Sequence, residues 1–232
     1  MTLTLRIRDV APVTPRARLV RLDLDGHAFD YVAGQAVMVG NHGGDAMRPY
    51  SIASAPEDAR RDRTIELLVG VRENGEPGDH LTLRAGGEVD VEGPLGSFVF
   101  PSSFAEPRVV FIAGGTGIAP LRAMLRHTLA LRPAPGVGLL YSARTPDEFA
   151  FADEFRALAA DRAIEFRQTI TRETTLDWSG NRGRIDREAL QPLVHGPDTL
   201  CFICGPRALV DDMPKLLKEL GVSEEKIRIE EW

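Results

Sequence analysis

The feature that most narrows what this chain can fold into is a change of hydrophobic period near residue 101. Before it, apolar and polar residues alternate. Leu3, Leu5 and Ile7 are interleaved with Thr4, Arg6 and Arg8, Val20, Leu22 and Leu24 with Arg21 and Asp23, and Ile65, Leu67, Val69 and Val71 repeat the pattern. A period of two puts alternate side chains on opposite faces of a strand. Turn residues separate the runs and no convincing long helix interrupts them, so the pattern predicts an antiparallel sheet closed into a small barrel.

After Pro101-Ser102-Ser103 the runs become short and continuously apolar, each leading into a helical pattern. Val109–Ala113 precedes a helix over Pro120–Leu131, and Val137–Tyr141 precedes one over Glu148–Ala160. Ile164–Ile170 leads to Asp186–Val194, Leu200–Ile203 to Arg207–Leu220, and Ile227-Arg228-Ile229 closes the series. Strands apolar on both faces and alternating with helices predict a parallel sheet covered on both sides. Pro214, inside the last long helical pattern, is expected to kink or restart it. A chain of 232 residues suits two modest domains, expected at 1–103 (barrel) and 104–232 (α/β).

Several function classes fall away on composition. No apolar stretch reaches the roughly 18–20 residues of a membrane span, and the first residues lack a signal-peptide core, so no membrane span and a cytoplasmic protein are expected. The net charge of −6 and the lack of a long Lys/Arg run argue against a nucleic-acid partner; Arg60-Arg61-Asp62-Arg63 reads as a solvated loop. Two cysteines cannot make a disulfide framework or a four-thiolate cluster. Cys201 and Cys204 are three apart on an expected strand and so point to opposite faces, which argues against a disulfide between them.

Two segments carry chemistry. Ala113-Gly114-Gly115-Thr116-Gly117-Ile118-Ala119-Pro120 lies where an apolar run meets a helix. Glycines let a ligand approach the backbone, and the free N–H groups of a first helical turn, which Pro120 suits, attract a pyrophosphate. The Lys of a P-loop is missing, so nucleotide hydrolysis is not expected; a glycine-rich turn without a ligand fits the segment equally well. In Arg48-Pro49-Tyr50-Ser51 the Arg can clamp a phosphate, the Tyr ring can lie against a flat cofactor, and the Ser hydroxyl can bond a ring nitrogen. A strand edge with a surface Arg, a core Tyr and a turn Ser accounts for it as well.

The order of motifs decides between these readings. Arg48-Pro49-Tyr50-Ser51, Glu92-Gly93-Pro94-Leu95-Gly96-Ser97-Phe98, Gly114 to Pro120, Cys204-Gly205-Pro206 and a closing Glu230-Glu231-Trp232 together resemble the ferredoxin–NADP⁺ reductase-like flavoproteins over nearly the whole chain. That resemblance implies an FAD-binding antiparallel barrel followed by a parallel NAD(P)-binding domain. It implies that Arg48 holds the FAD phosphates, that Tyr50, beside Pro49, stacks on the isoalloxazine, and that Ser51 sits near flavin N5. The strand at Leu68 would run past the cofactor, and Glu76-Pro77-Gly78 would meet the pyrophosphate through backbone N–H groups. The family often has Ser or Thr where this chain has Gly78.

The resemblance also implies that Gly115, Thr116 and Gly117 admit NAD(P)H near the flavin and that Cys204, Gly205 and Pro206 lie beside the nicotinamide. Cys204 is then a positioning group, since hydride passes directly from nicotinamide C4 to flavin N5; a plain core cysteine is the other reading. Arg144, Arg172 and Arg184 correspond to arginines that hold the ribose 2′-phosphate, so NADP is expected over NAD. Glu230 would relay a proton or polarise the nicotinamide, and Trp232 either covers the flavin or caps the last strand. The function implied is transfer of hydride from NAD(P)H to FAD, then of electrons to a small redox protein such as a ferredoxin. A flavin or quinone reductase with a small-molecule acceptor, and a redox-sensing module with little turnover, are the alternatives. The arginines at 6, 8, 16, 18 and 21 offer a basic rim for an acidic partner, or simply face water.

Overall fold

The computed structural model describes residues 2–172 and 178–231, which cluster into two compact units. The first comprises the residues up to Phe100 together with Arg122–His127; the second is Pro101–Leu121 with the residues from Thr128 onward.

The first unit is built on six strands: β1 (Thr2–Thr14), β2 (Ala17–Asp23), β3 (Ala36–Asn41), β4 (Arg48–Ser51), β5 (Thr64–Gly70) and β6 (Glu88–Leu95), with one short helix, α1 (Pro56–Asp62). All pair antiparallel in the order β4-β3-β6-β1-β2-β5. The two ends of that order meet through a bridge between Ile52 and Leu67 and a bond from the Ala53 N–H to the Glu66 carbonyl, which closes the sheet into a barrel. The alternation read from sequence is the inside face: Leu5, Ile7, Val20, Leu22, Leu24, Ile65, Leu67 and Val69 form one buried cluster. Closure removes the exposed edges that an open sheet would leave unpaired.

Helix α1 was not expected. It is too short to show an amphipathic period, but Pro56 at its first turn, Glu57 and Asp58 next to it and Arg60 and Arg61 at its end suit a short helix and its dipole. Its acidic residues are met within the same unit: Asp58 accepts from Arg126, and Glu57 lies 2.9 Å from His127. Beneath them Glu66 accepts from Arg21 at 2.8 Å and from Arg122 at 2.6 Å, while Arg122 also donates to the Ala53 carbonyl at 2.8 Å.

The second unit carries β7 (Arg108–Gly114), α2 (Ile118–Ala130, of which the ends belong here), β8 (Gly136–Ala143), α3 (Ala152–Ala160), β9 (Glu165–Ile170), β10 (Asn181–Arg182), α4 (Arg187–Leu190), β11 (Thr199–Gly205), α5 (Arg207–Glu219) and β12 (Ile227–Glu231). Its sheet is parallel throughout, in the order β10-β9-β8-β7-β11-β12. β7 and β11 are buried at every position, as fully covered parallel strands should be. Val110, Ile112, Cys201 and Ile203 pack with Leu190 and Leu193 and with Val210, Met213 and Leu217 of α5.

Three helices depart from expectation for local reasons. α3 starts at Ala152 rather than Glu148, because Phe151 is left-handed (φ 60°) and the chain at Pro146–Glu148 makes only a 3₁₀ turn. α4 has four residues instead of running to Val194: Asp186 caps it by accepting from the Ala189 N–H, and Gln191, still helical in its own backbone (φ −51°, ψ −41°), donates the last bond of the helix, to the Arg187 carbonyl at 2.9 Å. α5 runs through Pro214 without interruption, so of the kink or restart expected there the restart is absent. One lost bond is outweighed by the apolar face that Val210, Met213 and Leu217 bury.

Candidate functional site

In the first unit the site is assembled where β4, the end of β3 and the 71–82 loop come together. Pairing of β4 with β3 sets Arg48 opposite Val39, Pro49 opposite Met38, Tyr50 opposite Val37 and Ser51 opposite Ala36. Tyr50 and Ser51 are half-buried and Arg48 and Pro49 exposed. The Tyr50 hydroxyl lies 2.7 Å from His80 Nε2, and the two rings are near parallel (14°) with centroids 6.1 Å apart.

His80 is only 7% exposed. Burial, then Arg48 and Arg72, hold its pKa below the usual imidazole value, so it is neutral at pH 7. Burial also pushes the Tyr50 phenol upward. Arg48 and Arg72 are exposed, and neither forms an ion pair among the described residues.

Gly78 explains its own departure from the family's Ser or Thr. Its φ of +131° is one that L side chains rarely adopt, and a Cβ there would lie 3.3 Å from His80 Nδ1 and 3.5 Å from an Arg72 nitrogen. Two unpaired guanidinium groups beside a bare backbone suit an anionic diphosphate, and a half-buried aromatic ring suits a flat ring system, so these residues fit FAD. The loop is held by Asn41, whose N–H donates to the His80 carbonyl (2.8 Å), whose side-chain oxygen accepts from the Thr82 N–H (2.8 Å), and whose side-chain nitrogen donates to the Asp79 carbonyl (3.3 Å). Glu76 is exposed and Pro77 half-buried in this loop, and Leu68 is buried on β5 opposite Leu19. His80, Arg72 and Asn41 escaped the sequence analysis. A lone His in a polar, Gly-rich stretch reads as a surface residue, and only proximity to the Glu76-Pro77-Gly78 segment marked it.

In the second unit the chain changes direction at β7: β8 lies on one side and β11 on the other. Ligands of open α/β sheets bind outside the carboxyl ends of strands at such a switch point. There the backbones of Gly114 and Gly205 touch. A Cβ on Gly205 would fall 3.1 Å from both Cα and N of Gly114, and one on Gly114 would fall 2.8 Å from Pro206 Cδ. Gly115–Gly117 form a 3₁₀ turn leading into α2, with Thr116 half-buried and the Gly115 carbonyl accepting from the buried Tyr141 hydroxyl at 2.9 Å. This bare crevice, with Pro120 in the first turn of α2, fits a dinucleotide.

Cys204 and Glu230 are brought together. They are partners in the β11–β12 register, with the sulfur 3.9 Å from a Glu230 oxygen. Burial and the adjacent carboxylate raise the thiol pKa far above the ordinary range, and burial raises Glu230. Cys201, on the opposite face, is pushed up to about 12 by burial; both cysteines are free. The pair is therefore a weak thiol donor facing a carboxylate, suited to holding a polar group and unsuited to nucleophilic attack.

Of the three arginines considered for a 2′-phosphate, Arg144 and Arg172 sit together at the ends of β8 and β9, the Arg172 N–H donating to the Arg144 carbonyl at 2.9 Å. Both are exposed, and neither has an ion pair among the described residues. Arg184 pairs with Asp212 at 3.8 Å. Trp232 lies outside the described residues. The arginines considered as a basic rim are partly neutralised: Arg8 pairs with Asp23, Arg21 with Asp9 and Glu66, and Arg18 donates to the Thr14 and Ala17 carbonyls. Among the described residues no cluster of His, Cys, Asp or Glu could hold a metal ion, and no helix is long and apolar enough to cross a membrane.

Comparison with known proteins agrees with this geometry. A family model described as an oxidoreductase FAD-binding domain matches residues 4–100, and one described as an oxidoreductase NAD-binding domain matches residues 111–215. The chain is 33% identical to ferredoxin–NADP reductase B of Sorangium cellulosum over 98% of its own length and 96% of that protein's. It is 31% identical to the oxidoreductase NAD-binding domain-containing protein 1 of Danio rerio, over 98% of its length and 90% of the relative's. Among solved structures it is similar to the FAD/NAD-binding domain of a nitric oxide dioxygenase from Vibrio cholerae, with a TM-score of 0.83 at 27% identity, covering 99% of this chain and 98% of that one.

Proposed function

The chain belongs to the ferredoxin–NADP reductase-like oxidoreductases, in which an FAD-binding domain precedes an NAD-binding domain, and on that premise we propose that it oxidises NADPH in preference to NADH and hands the electrons to a small redox protein such as a ferredoxin. FAD supplies the chemistry when bound, accepting hydride from the dinucleotide and releasing electrons one or two at a time. The chain's own residues bind and orient. Arg48 and the 75–78 backbone hold the diphosphate, Tyr50 supports the ring system, and Ser51 and Leu68 line its course. Gly114, Gly115, Thr116, Gly117, Gly205 and Pro206 admit the dinucleotide. Cys204 and Glu230 position the nicotinamide by hydrogen bonding, burial holding the Glu230 carboxyl above its usual carboxylate range.

The observation that carries the NADPH preference is the pair of guanidinium groups, Arg144 and Arg172, at adjacent strand ends, neither with an ion pair among the described residues. A doubly charged phosphate is the ligand that such a pair suits best. A second reading has support of its own: Arg8 and Arg21 are spent on internal ion pairs and the net charge is −6, which favours a small acceptor, a free flavin or a quinone, over an acidic protein. Steady-state oxidation of NADPH and NADH with ferricyanide, free flavin, a quinone and a two-iron ferredoxin separates these readings. Fast turnover with ferredoxin supports the first, and turnover confined to free flavin or quinone the second. Changing Arg144 and Arg172 together to Ala should raise KM for NADPH far more than for NADH; equal changes would remove them from the 2′-phosphate site.

A further inference from the structure

We propose that His80 is a positioning residue of the FAD site and that it takes a proton from solvent when the cofactor's diphosphate binds beside Arg48 and Arg72. The inference rests on the FAD site described above and assigns it a residue and a linkage that the sequence motifs do not contain.

His80 is buried, yet its ring is in contact with the part of the site that receives charge. On β4 it faces Arg48 and the Tyr50 hydroxyl, and within its own loop Arg72 and Asp79. From β3, Asn41 holds its backbone, and the neighbouring His42 is turned away onto Asp90. With no anion bound, burial first and then the two guanidinium groups outweigh the single carboxylate of Asp79, and the imidazole stays neutral. In the Nδ1–H tautomer the bare Nε2 then accepts a hydrogen bond from the Tyr50 hydroxyl across the 2.7 Å contact.

A diphosphate carries two negative charges into this cluster, offsets the two guanidinium groups and adds an attraction for a proton that opposes the effect of burial. The imidazole, taking one proton from water, becomes imidazolium. Its Nε2 must then donate, the Tyr50 oxygen accepts, and the same contact survives with its polarity reversed. The Tyr50 hydroxyl keeps its hydrogen and turns it toward another acceptor. Binding an anion and binding a proton thus favour each other, and the coupling is reciprocal. Gly78 keeps His80 Nδ1 within reach of this chemistry, since a Cβ there would crowd it at 3.3 Å.

The test is calorimetric titration of FAD into the full chain freed of flavin, in two buffers of different ionisation enthalpy, which reads protons taken up per cofactor. The diphosphate of FAD does not itself titrate near neutral pH. Wild type should take up a substantial fraction of one proton near pH 7, and its Kd for FAD should fall as pH drops from about 8 to about 6, by at most about tenfold per unit for one proton. Riboflavin, which lacks the diphosphate, should bind without uptake. His80→Gln, which keeps a hydrogen-bonding side chain and cannot titrate in this range, should bind FAD with no uptake and a flat pH profile. Binding of FAD by wild type without proton uptake, equal uptake with riboflavin, or undiminished uptake in His80→Gln would each overturn the proposal while leaving the FAD site intact. Failure of wild type to bind FAD at all would bring down the functional reading, and this inference with it.

Discussion

At the residue scale, the chemistry of this protein lies in side chains whose neighbours are unusual for their type. Arg48 is an exposed Arg without a carboxylate partner among the described residues, on a short barrel strand of which Tyr50 and Ser51 are half-buried. Arg48→Ala should leave folding unchanged, since the side chain is exposed, and weaken FAD binding by about 1.5–3 kcal/mol, the scale of a hydrogen bond to a charged group. Flavin occupancy equal to wild type in dilute solution would exclude Arg48 from the site. The cysteines make the opposite case. Both are buried, and both thiols are pushed up, Cys204 additionally by Glu230. Alkylation requires the thiolate, so at pH 8 neither should react with iodoacetamide in the folded protein, and both should react in denaturant. Rapid labelling of Cys204 in native protein would show a reactive thiol and undo its assignment as a neutral positioning group. Arg48 and Cys204 are singled out in the sequence by motif order, which proposes their roles. His80 is not: its significance comes from Tyr50, Arg48 and Arg72, which reach it only through the fold.

At the scale of elements, what could be read in advance was whatever depends on a repeating pattern. The alternation of β1, β2 and β5 exposed the barrel's inner face, and the unbroken runs of β7, β8 and β11 exposed the buried parallel sheet. Events of one or two residues stayed hidden: the left-handed Phe151 that shortens α3, the cap at Asp186, and the Ile52–Leu67 bridge that closes the barrel. The β3–β4 connection is another such event, and it titrates. Asp90 on β6 accepts from Thr4, from the Gly43 N–H and from His42, which together hold its pKa down at about 2, with the His42 bond the largest influence. The same bond raises His42 above its usual value. A raised His contributes stability that is fully present below its unfolded pKa of about 6.5 and lost as pH climbs through the folded value; a depressed Asp contributes above about 3.9 and loses it as pH falls toward 2. The ion pair therefore stabilises the connection from about pH 4 to somewhat above pH 6.5. His42→Gln should lower Tm relative to wild type at pH 5 and leave it little changed at pH 9. A Tm difference of the same size at both values would show that His42 acts by packing alone.

At the scale of the whole molecule, the sequence divides at residue 103 by period, while clustering of the folded chain assigns Arg122–His127 to the first unit. These residues supply what the barrel's acidic groups need. Burial works to raise the pKa of Glu66, yet Arg122 and Arg21 outweigh it and hold the carboxylate ionised below its usual range. Glu66 is 15% exposed and Arg122 7%. Asp58 depends in the same way on Arg126, and the Phe100 ring meets that of His127 edge-on at 5.2 Å. No periodicity in the first hundred residues announces this dependence, because the partners lie on a helix that the same period change assigns to the other domain. A fragment of residues 1–103 would keep Arg21 for Glu66 and Arg61 for Asp58, but it would lose Arg122, Arg126 and the buried Met124 and Leu125. Leaving a largely buried carboxylate short of one partner costs about 1–3 kcal/mol, and withdrawing a fully buried apolar side chain such as Met124, which reaches Gly34, costs about 1.5–3 kcal/mol, against a typical domain stability of about 5–15 kcal/mol. The fragment is therefore expected to be largely unfolded, or to melt well below the full chain, and to bind no FAD. A second fragment of residues 1–130, which restores these partners, should recover part of the lost stability. Circular dichroism melts of both fragments beside the full chain, with Arg122→Ala as a milder lesion in the intact protein, measure this directly. A 1–103 fragment that folds cooperatively, melts with the full chain and binds FAD would show that the barrel is complete without Arg122–His127.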